Sequence, residues 1–235
     1  MSIKWIACEN DIEIGSKVSE IFIEQIKTKP SSVFILATGS SPMATYKAII
    51  KDHLTNHTSW KQVTTFNLDE YLNIDQKYIH QSYRYFMDDN LFNHINIDKK
   101  NTFFPNQSLI GDKYQQMMNH KGEVDICLLG VGNNGHIAFN EPGTKIDAMT
   151  HVVDLTESSR LANSRFFDND INNVPKQAVT TGLKEILNSK KIILIATGKN
   201  KKTAIEHLKT AKNFDEQWPI TALTKHPDVI VFLQR

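Results

Sequence analysis

The 235-residue chain is 40% hydrophobic and 23% charged, an ordinary composition for a globular protein. Its formal net charge of +1 gives no general attraction to nucleic acid or to a membrane surface, and its two cysteines are too few for a disulfide framework. The first residues lack the apolar core of a signal peptide, and no apolar run approaches membrane-spanning length. We therefore expect one cytoplasmic domain spanning residues 1–235.

Short apolar runs and amphipathic stretches alternate along the chain. The apolar runs that indicate strands lie at residues 32–37, 63–68, 103–106, 124–129, 151–155, 178–181, 191–197 and 229–233. The stretches with helical spacing lie at residues 11–27, 43–54, 78–95, 111–120, 156–167 and 183–187, and a further helix follows residue 201. This alternation predicts an α/β fold with one mostly parallel, Rossmann-like sheet covered by helices on both faces, as a three-layer α/β/α sandwich.

The loop after the first apolar run is rich in hydroxyl groups. It consists of Thr38, Gly39, Ser40, Ser41 and Pro42, and a predicted helix begins directly after it. Free N–H groups at a helix N-terminus, together with hydroxyl donors, suit a bound phosphate. Serine and threonine also cap ordinary helices, so the loop is either a phosphate cradle or a plain helix start.

The next strand ends in two carboxylates, Asp69 and Glu70. Carboxylates in this position can carry acid/base chemistry, but they are also common as simple loop charges. The stretch 78–95 that follows is rich in aromatic residues at helical spacing, with Ser82 as a candidate N-cap. This spacing favours a role for the aromatic side chains in the core over a stacking surface.

The central apolar run, 124–129, leads into three glycines within six positions, and then into His136, Asn140 and Glu141. Ligands of open α/β sheets bind beyond the carboxyl ends of the strands. The glycines formally fit a dinucleotide fingerprint, but Pro142 arrives too early for the helix that such a site requires. The loop is therefore either a site for one small substrate or a tight turn with a solvated histidine.

Basic residues occupy two later positions. Arg165 lies in the predicted helix 156–167, for which Thr156 is the candidate N-cap. Lys199, Lys201 and Lys202 cluster where the strand 191–197 meets the next helix. Lysines at a helix start oppose the helix dipole and so suggest an anionic ligand, although each charge alone is also consistent with a solvated surface.

Four strings occur in order along the chain: TGSSP at 38–42, NLDEY at 67–71, GVGNNGHIAFNEPGT at 130–144 and NSRFF at 163–167. Together they closely resemble the signatures of the glucosamine-6-phosphate deaminase family, whose members convert glucosamine 6-phosphate to fructose 6-phosphate and ammonia. The resemblance covers nearly the whole chain and implies the three-layer fold that the alternation predicts. It also implies a small-molecule sugar-phosphate substrate, with no metal ion and no cofactor.

The resemblance implies a role for each matching residue. Asp69 is the implied base that moves the C2 proton of the substrate. His136 is the implied acid/base group for opening the sugar ring, which Glu141 orients and stabilises by its charge, with position 134 as the third member of the set. The implied substrate and phosphate contacts are Thr38, Gly39, Ser40, Ser41, Arg165 and Lys201.

Two departures from the family pattern modify these expectations. The chain has Asn134 where the best-known members carry aspartate, so the set around His136 has one negative charge fewer. Allosteric members are longer and place basic groups for an N-acetylated activator after the FNEP string, where this chain has a poor match. We therefore expect no allosteric activator, and the sequence leaves open whether the protein is a monomer or a homo-oligomer.

Two other functions fit the same fold. A 6-phosphogluconolactonase shares a Gly-x-Gly loop followed by Gly-His, but it would not explain the NLDEY and FNEPG strings, because lactone hydrolysis needs no C2 base. A non-enzymatic sugar-phosphate-sensing domain usually accompanies a DNA-binding segment, and this chain has no basic patch.

Overall fold

The computed structural model describes residues 3–235. Within that range, seven strands form a parallel sheet. In sheet order they are β1 (Lys4–Cys8), β10 (Val229–Gln234), β9 (Lys191–Ala196), β6 (Ile126–Leu129), β2 (Val33–Leu36), β3 (Thr64–Asn67) and β5 (Thr102–Phe103). Apolar residues on both faces of the central strands are buried, as a parallel sheet between two helical layers requires.

Helices cover both faces of this sheet. The helices of the described chain are α1 (Asp11–Thr28), α2 (Met43–Asn56), α3 (Tyr83–Asn90), α4 (Lys113–Lys121), α5 (Glu157–Asn163), α6 (Leu183–Leu187) and α7 (Lys202–Thr210). Successive strand residues point to opposite faces, so Phe34 joins the core under α1, α2 and α3. Its neighbour Ile35 joins the core under α4, α6 and α7. The predicted three-layer α/β/α architecture is therefore confirmed.

Three short strands form a second, antiparallel sheet that the sequence analysis did not anticipate. In sheet order they are β4 (Asp69–Tyr71), β8 (Gln177–Thr180) and β7 (His151–Asp154). The prediction that the strands at 151–155 and 178–181 belong to one parallel sheet is wrong. They pair instead with β4, which follows β3 after one residue, and their buried side chains pack in a separate cluster that contains Tyr71 and Phe167.

Two further elements differ from the sequence prediction. Strand β1 at the edge of the large sheet was not predicted, because only one of its five residues is fully buried and its apolar pattern is weak. The stretch 78–95 is not one helix: α3 is flanked by 3₁₀ turns at Gln76–Gln81 and Phe92–His94. Ser82 caps α3 as predicted, because its Oγ accepts a hydrogen bond from the N–H of Tyr85. No helix among the described residues is both long and apolar enough to cross a bilayer.

The order of the strands creates a crevice at one end of the sheet. Strands β2 and β6 are neighbours, but the next strand of the large sheet after β2 is β3 on one side, whereas the next after β6 is β9 on the other. Loops that leave adjacent strands in opposite directions open a gap at the carboxyl ends of those strands, where ligands of this fold class bind. The loop at 38–42 and the loop at 130–136 flank that gap.

Candidate active site

A cavity of about 660 Å³ lies beyond the carboxyl ends of β2, β3 and β6. It brings together most of the predicted site residues, which come from five separate segments of the chain. Those that line it are Thr38, Gly39, Ser40, Ser41, Asp69, His136, Arg165 and Lys201. The remaining two predicted residues, Asn134 and Glu141, lie behind the imidazole of His136.

Asp69 stands at the junction where the chain passes from the parallel sheet to the small antiparallel sheet. Its side chain is buried, with 7% of the residue surface exposed, and it lines the cavity. Across residues 3–235, no donor forms a hydrogen bond or ion pair with its carboxylate. Burial, with a smaller contribution from the charge of Glu70, raises the pKa of Asp69 to about 8. A carboxylate in that state can accept a proton from a carbon acid and return it near neutral pH.

Glu70 has a different partner set, which resolves the ambiguity of the two adjacent carboxylates. Its side chain turns away and accepts hydrogen bonds from the backbone N–H groups of Tyr83 and Arg84, at 2.9 and 2.8 Å. These groups open helix α3, so Glu70 supplies a negative charge at the positive end of that helix. Glu70 therefore anchors the wall of the cavity, whereas Asp69 faces its interior.

His136, Glu141 and Asn134 form a connected set. Nδ1 of His136 lies 3.3 Å from Oε1 of Glu141, close enough for an ion pair when the ring is protonated, although not aligned for a hydrogen bond. The amide of Asn134 donates to the other oxygen of Glu141 at 2.6 Å, and its carbonyl oxygen accepts from the backbone N–H of His136 at 3.3 Å. Asn134 therefore acts directly on the carboxylate rather than on the imidazole.

The pKa of Glu141 reflects this arrangement. Burial would raise the pKa of the carboxyl, but the neighbouring His136 and the amide of Asn134 outweigh burial and lower it. Glu141 is therefore held as a carboxylate. A charged group behind the ring can stabilise the imidazolium that forms when His136 accepts a proton.

Two glycines give the central loop its shape. A Cβ atom at Gly132 would lie only 2.2 to 2.4 Å from the ring of His136, so the ring packs directly over that backbone. Gly135 has a φ of +83°, and a Cβ there would lie 2.7 Å from the ring of Trp218. Trp218 stacks in turn on His207 of helix α7, with 3.6 Å between ring centroids. Trp218 is not among the predicted site residues, because no local pattern in the sequence marks it as a neighbour of this loop.

The part of the cavity lined by the loop at 38–42 has the features of an anion site. Helix α2 begins after Pro42, and no side chain caps its first turn. Ser40 and Ser41 line the cavity, and neither caps the helix, so the interpretation of this loop as a plain, serine-capped helix start does not hold. The start of α2 therefore brings the positive end of its helix dipole and two hydroxyl groups to the cavity.

Two cations, Arg165 and Lys201, also line the cavity. Arg165 lines the cavity, and its guanidinium lies 4.7 Å from the ring centroid of Phe166. Lys201 is half-buried, and its Nζ donates to Oδ1 of Asn133 at 2.8 Å. Burial lowers the pKa of Lys201. Lys199 and Lys202 are exposed and do not line the cavity, so the structure singles out Lys201 within the lysine cluster.

Aromatic residues of helix α3 also line the cavity. The prediction that the aromatic residues of the stretch 78–95 belong to the core is correct for Tyr78 and Phe92, which are buried. Tyr83 and Phe86 are partly buried, and each packs against a core cluster while also lining the cavity from helix α3. The prediction is wrong for Tyr85, which is exposed and lines the cavity.

Comparison with known proteins agrees with this geometry. The model of the family "Glucosamine-6-phosphate isomerases/6-phosphogluconolactonase" matches residues 12–231. The chain belongs to this family. It is 46% identical to a glucosamine-6-phosphate deaminase from Malacoplasma penetrans, over 98% of each chain.

Solved structures refine this placement. The chain is similar to a structure described as a monomeric glucosamine-6-phosphate deaminase, with 40% identity, a TM-score of 0.92 and coverage of 99% and 98% of the two chains. A 6-phosphogluconolactonase from Thermotoga maritima matches with a TM-score of 0.72 over 100% of each chain. At 18% identity that second likeness shows only that the fold is shared.

Proposed function

We propose that this chain is an enzyme that converts glucosamine 6-phosphate and water to fructose 6-phosphate and ammonia. The observation that carries the proposal is the buried carboxylate of Asp69, which has no hydrogen-bond or ion-pair partner among the described residues and lies in a cavity that Arg165 and Lys201 also line. Isomerisation of an aminosugar needs a base at C2, and a phosphate needs cations. The names of the curated relatives, at 40–47% identity over nearly the full chain, support the same reaction.

The first chemical step is opening of the sugar ring. His136 accepts the proton of the C1 hydroxyl and delivers a proton to the ring oxygen, which yields the open-chain aldehyde. An imidazole is suited to this exchange because its unperturbed pKa lies near 6.5. Glu141, 3.3 Å from Nδ1, orients the ring and stabilises its charged form.

The second step transfers a proton between two carbons. The carboxylate of Asp69 removes the proton from C2, which leaves an enolamine, and a proton is then returned to C1. The product is a ketose imine, which water hydrolyses at C2 to the ketone and ammonia. Burial of Asp69 raises its pKa to about 8, which brings its basicity closer to that of the carbon acid than an exposed aspartate would be.

The phosphate end positions the reacting carbons. Ser40, Ser41, Arg165 and Lys201 bind the phosphate, while the backbone of Thr38 and Gly39 shapes the loop, in which Gly39 has a φ of +86°. Contacts to a remote phosphate hold C1 and C2 against the acid/base groups, so binding energy is used to orient the substrate.

The residues after the central loop favour an unregulated enzyme. Lys145, a cation in this segment, is paired with Glu216 at 2.8 Å. Nδ1 of His151 lies 2.8 Å from the carbonyl oxygen of Met149. Neither group is poised for an anionic activator. The enzyme acts in the cytoplasm, where its buried thiols, Cys8 and Cys127, remain reduced.

The proposal is tested by product analysis. Purified protein is incubated with glucosamine 6-phosphate as sole substrate, and ammonia and fructose 6-phosphate are measured with coupled assays. A parallel reaction measures hydrolysis of 6-phosphogluconolactone. Equimolar ammonia and fructose 6-phosphate support the proposal, whereas lactone hydrolysis without ammonia release assigns the chain to the other branch of the family. Binding of the sugar phosphate without turnover of either substrate would indicate a sensing domain.

A further inference from the structure

The proposed C2 base, Asp69, and the proposed ring-opening group, His136, follow strands of the large sheet that are not hydrogen-bonded to each other. Asp69 follows β3, whereas His136 and Glu141 follow β6, and β2 lies between these strands. Their relative position beyond the strand ends therefore depends on contacts other than the parallel sheet. A misplacement of about 1 Å between reacting groups can cost on the order of a hundredfold in rate.

One pair of residues at the end of β8, Thr180 and Thr181, contacts both segments. On the Asp69 side, the N–H and the hydroxyl of Thr181 both donate to the carbonyl oxygen of Leu68, at 2.7 and 2.8 Å. Leu68 directly precedes Asp69, and Asp69 itself pairs with Thr180 in the antiparallel ladder. Three interactions thus fix the backbone that carries the base.

The same pair holds the central loop. The hydroxyl of Thr180 accepts from the backbone N–H of Phe139 at 3.0 Å. The carbonyl oxygen of Thr181 accepts from the amide of Asn140 at 2.8 Å, and that amide also donates to the carbonyl oxygen of Ile137 at 3.0 Å. Asn140 therefore fixes both the conformation of the loop and its distance from β8.

These hydrogen bonds are hard to replace, because the residues that form them are buried. Thr180, Thr181 and Asn140 are each 0% exposed, so water cannot replace a lost partner. From Leu68 through Thr181 to Asn140, a short path of hydrogen bonds joins the residue before Asp69 to the residue before Glu141.

We propose that Thr180, Thr181 and Asn140 are positioning residues that set the distance between the C2 base, Asp69, and the ring-opening pair, His136 and Glu141. The inference rests on the proposed deaminase reaction. None of the three residues lines the cavity, so they act on the reaction only through the groups that they hold.

The test is Thr181→Val, which preserves the shape of the side chain and removes its hydroxyl donor. Thr65→Val is the matched control, because Thr65 is also 0% exposed and its hydroxyl has no hydrogen-bond partner among the described residues. Thr181→Ser restores the hydroxyl. All variants are compared with the wild type at a temperature where circular dichroism shows each to be folded.

We expect Thr181→Val to lower kcat for ammonia release about tenfold and to leave KM within about twofold, because the phosphate contacts stand on other loops. Thr65→Val should retain the wild-type kcat, and Thr181→Ser should recover most of it. If Thr181→Val does not fold, Thr180→Val, which removes the acceptor for the loop N–H, should show the same fall in kcat.

Other outcomes overturn the inference. If the Val variants at positions 180 and 181 match Thr65→Val in kcat, the contacts support folding only. A change confined to KM would place the effect on substrate binding and would also refute a role in aligning the acid/base groups. In both cases the wild type still releases ammonia, so the proposed function stands. A wild type that releases no ammonia removes the proposed function and this inference together.

Discussion

Asp69→Asn separates the chemical role of Asp69 from its cost to the fold. The asparagine has nearly the same shape, but it can neither accept the C2 proton nor carry a charge. Removal of a positioned acid/base group lowers turnover by about 10²- to 10⁴-fold. Exchange of the C2 hydrogen with deuterated solvent should be lost to the same extent, while binding of the sugar phosphate should persist.

The same substitution should stabilise the protein, by an amount that depends on pH. Burial raises the folded-state pKa of Asp69 from 3.8 to about 8, so the folded state retains a proton that the unfolded chain has released. The wild type therefore loses stability as the pH rises from the lower value through the upper one, and Asp69→Asn does not. One pKa unit corresponds to about 1.4 kcal/mol, so the stability advantage of Asp69→Asn should grow by about 3 to 4 kcal/mol between pH 5 and pH 8.

The assay is urea denaturation of both proteins at several pH values across that interval. Because all other ionisable groups are common to both chains, their contributions cancel in the difference. Asp147→Asn, at an exposed position, controls for the loss of one acidic group and should follow the wild-type curve. A stability difference between Asp69→Asn and the wild type that stays constant with pH would refute the assignment of Asp69 as a buried base.

Three further predictions follow from the site. Lys201→Met should raise KM for glucosamine 6-phosphate at least about tenfold in steady-state assays, with a smaller effect on kcat. Lys199→Met, at an exposed position, should change neither constant by more than about twofold. Equal effects of the two substitutions would contradict the assignment of Lys201 as the lysine that binds the phosphate. Asn134→Asp places a negative charge where an amide now donates to Glu141, so it should raise the pKa of the Glu141 carboxyl. The acidic limb of the pH profile of kcat/KM should then move to higher pH. Superimposable profiles for the two proteins would show that position 134 has no electrostatic effect. Trp218→Leu empties part of the space beside the central loop and should lower both the melting temperature and kcat, and an unchanged kcat would limit its role to stability.

The sequence was sufficient to predict the end of the sheet at which the site lies. Apolar runs mark the buried strands, and parallel strands present their carboxyl ends at one edge, so the polar residues after the runs had to meet there. Asp69, His136 and Lys201 line one cavity for this reason, although long stretches of chain separate them. Glycines close to His136 were equally visible, because a tight turn requires them.

Contacts between distant segments could not be predicted in this way. The bond from Thr181 to Leu68 spans 113 positions, and the bond from Asn140 to Thr181 spans 41, so neither leaves a local pattern in the sequence. Strand β8 was predicted as a strand, but its partner in an antiparallel sheet was not, because short strands of similar composition occur in both kinds of sheet. The partner of Asn134 was also hidden, since its proximity to Glu141 depends on how the loop folds back.

The electrostatics of the cavity favour an aminosugar phosphate over a lactone. Asp69 is a buried carboxylate with a raised pKa, and Lys201 is a partly buried cation with a lowered pKa. An ion pair between Asp69 and Lys201 would oppose both pKa shifts, yet neither side chain forms an ion pair with any described residue. Both groups therefore line one cavity without an ion-pair partner among the described residues. An aminosugar phosphate carries an anionic phosphate that can pair with Lys201 and a basic amine on the reacting carbon that can pair with Asp69. A phosphorylated lactone has no amine, so it can pair only with Lys201. Part of the binding energy of the aminosugar would thus offset the cost of ionising the buried Asp69, and the ionised form is the one that removes the C2 proton.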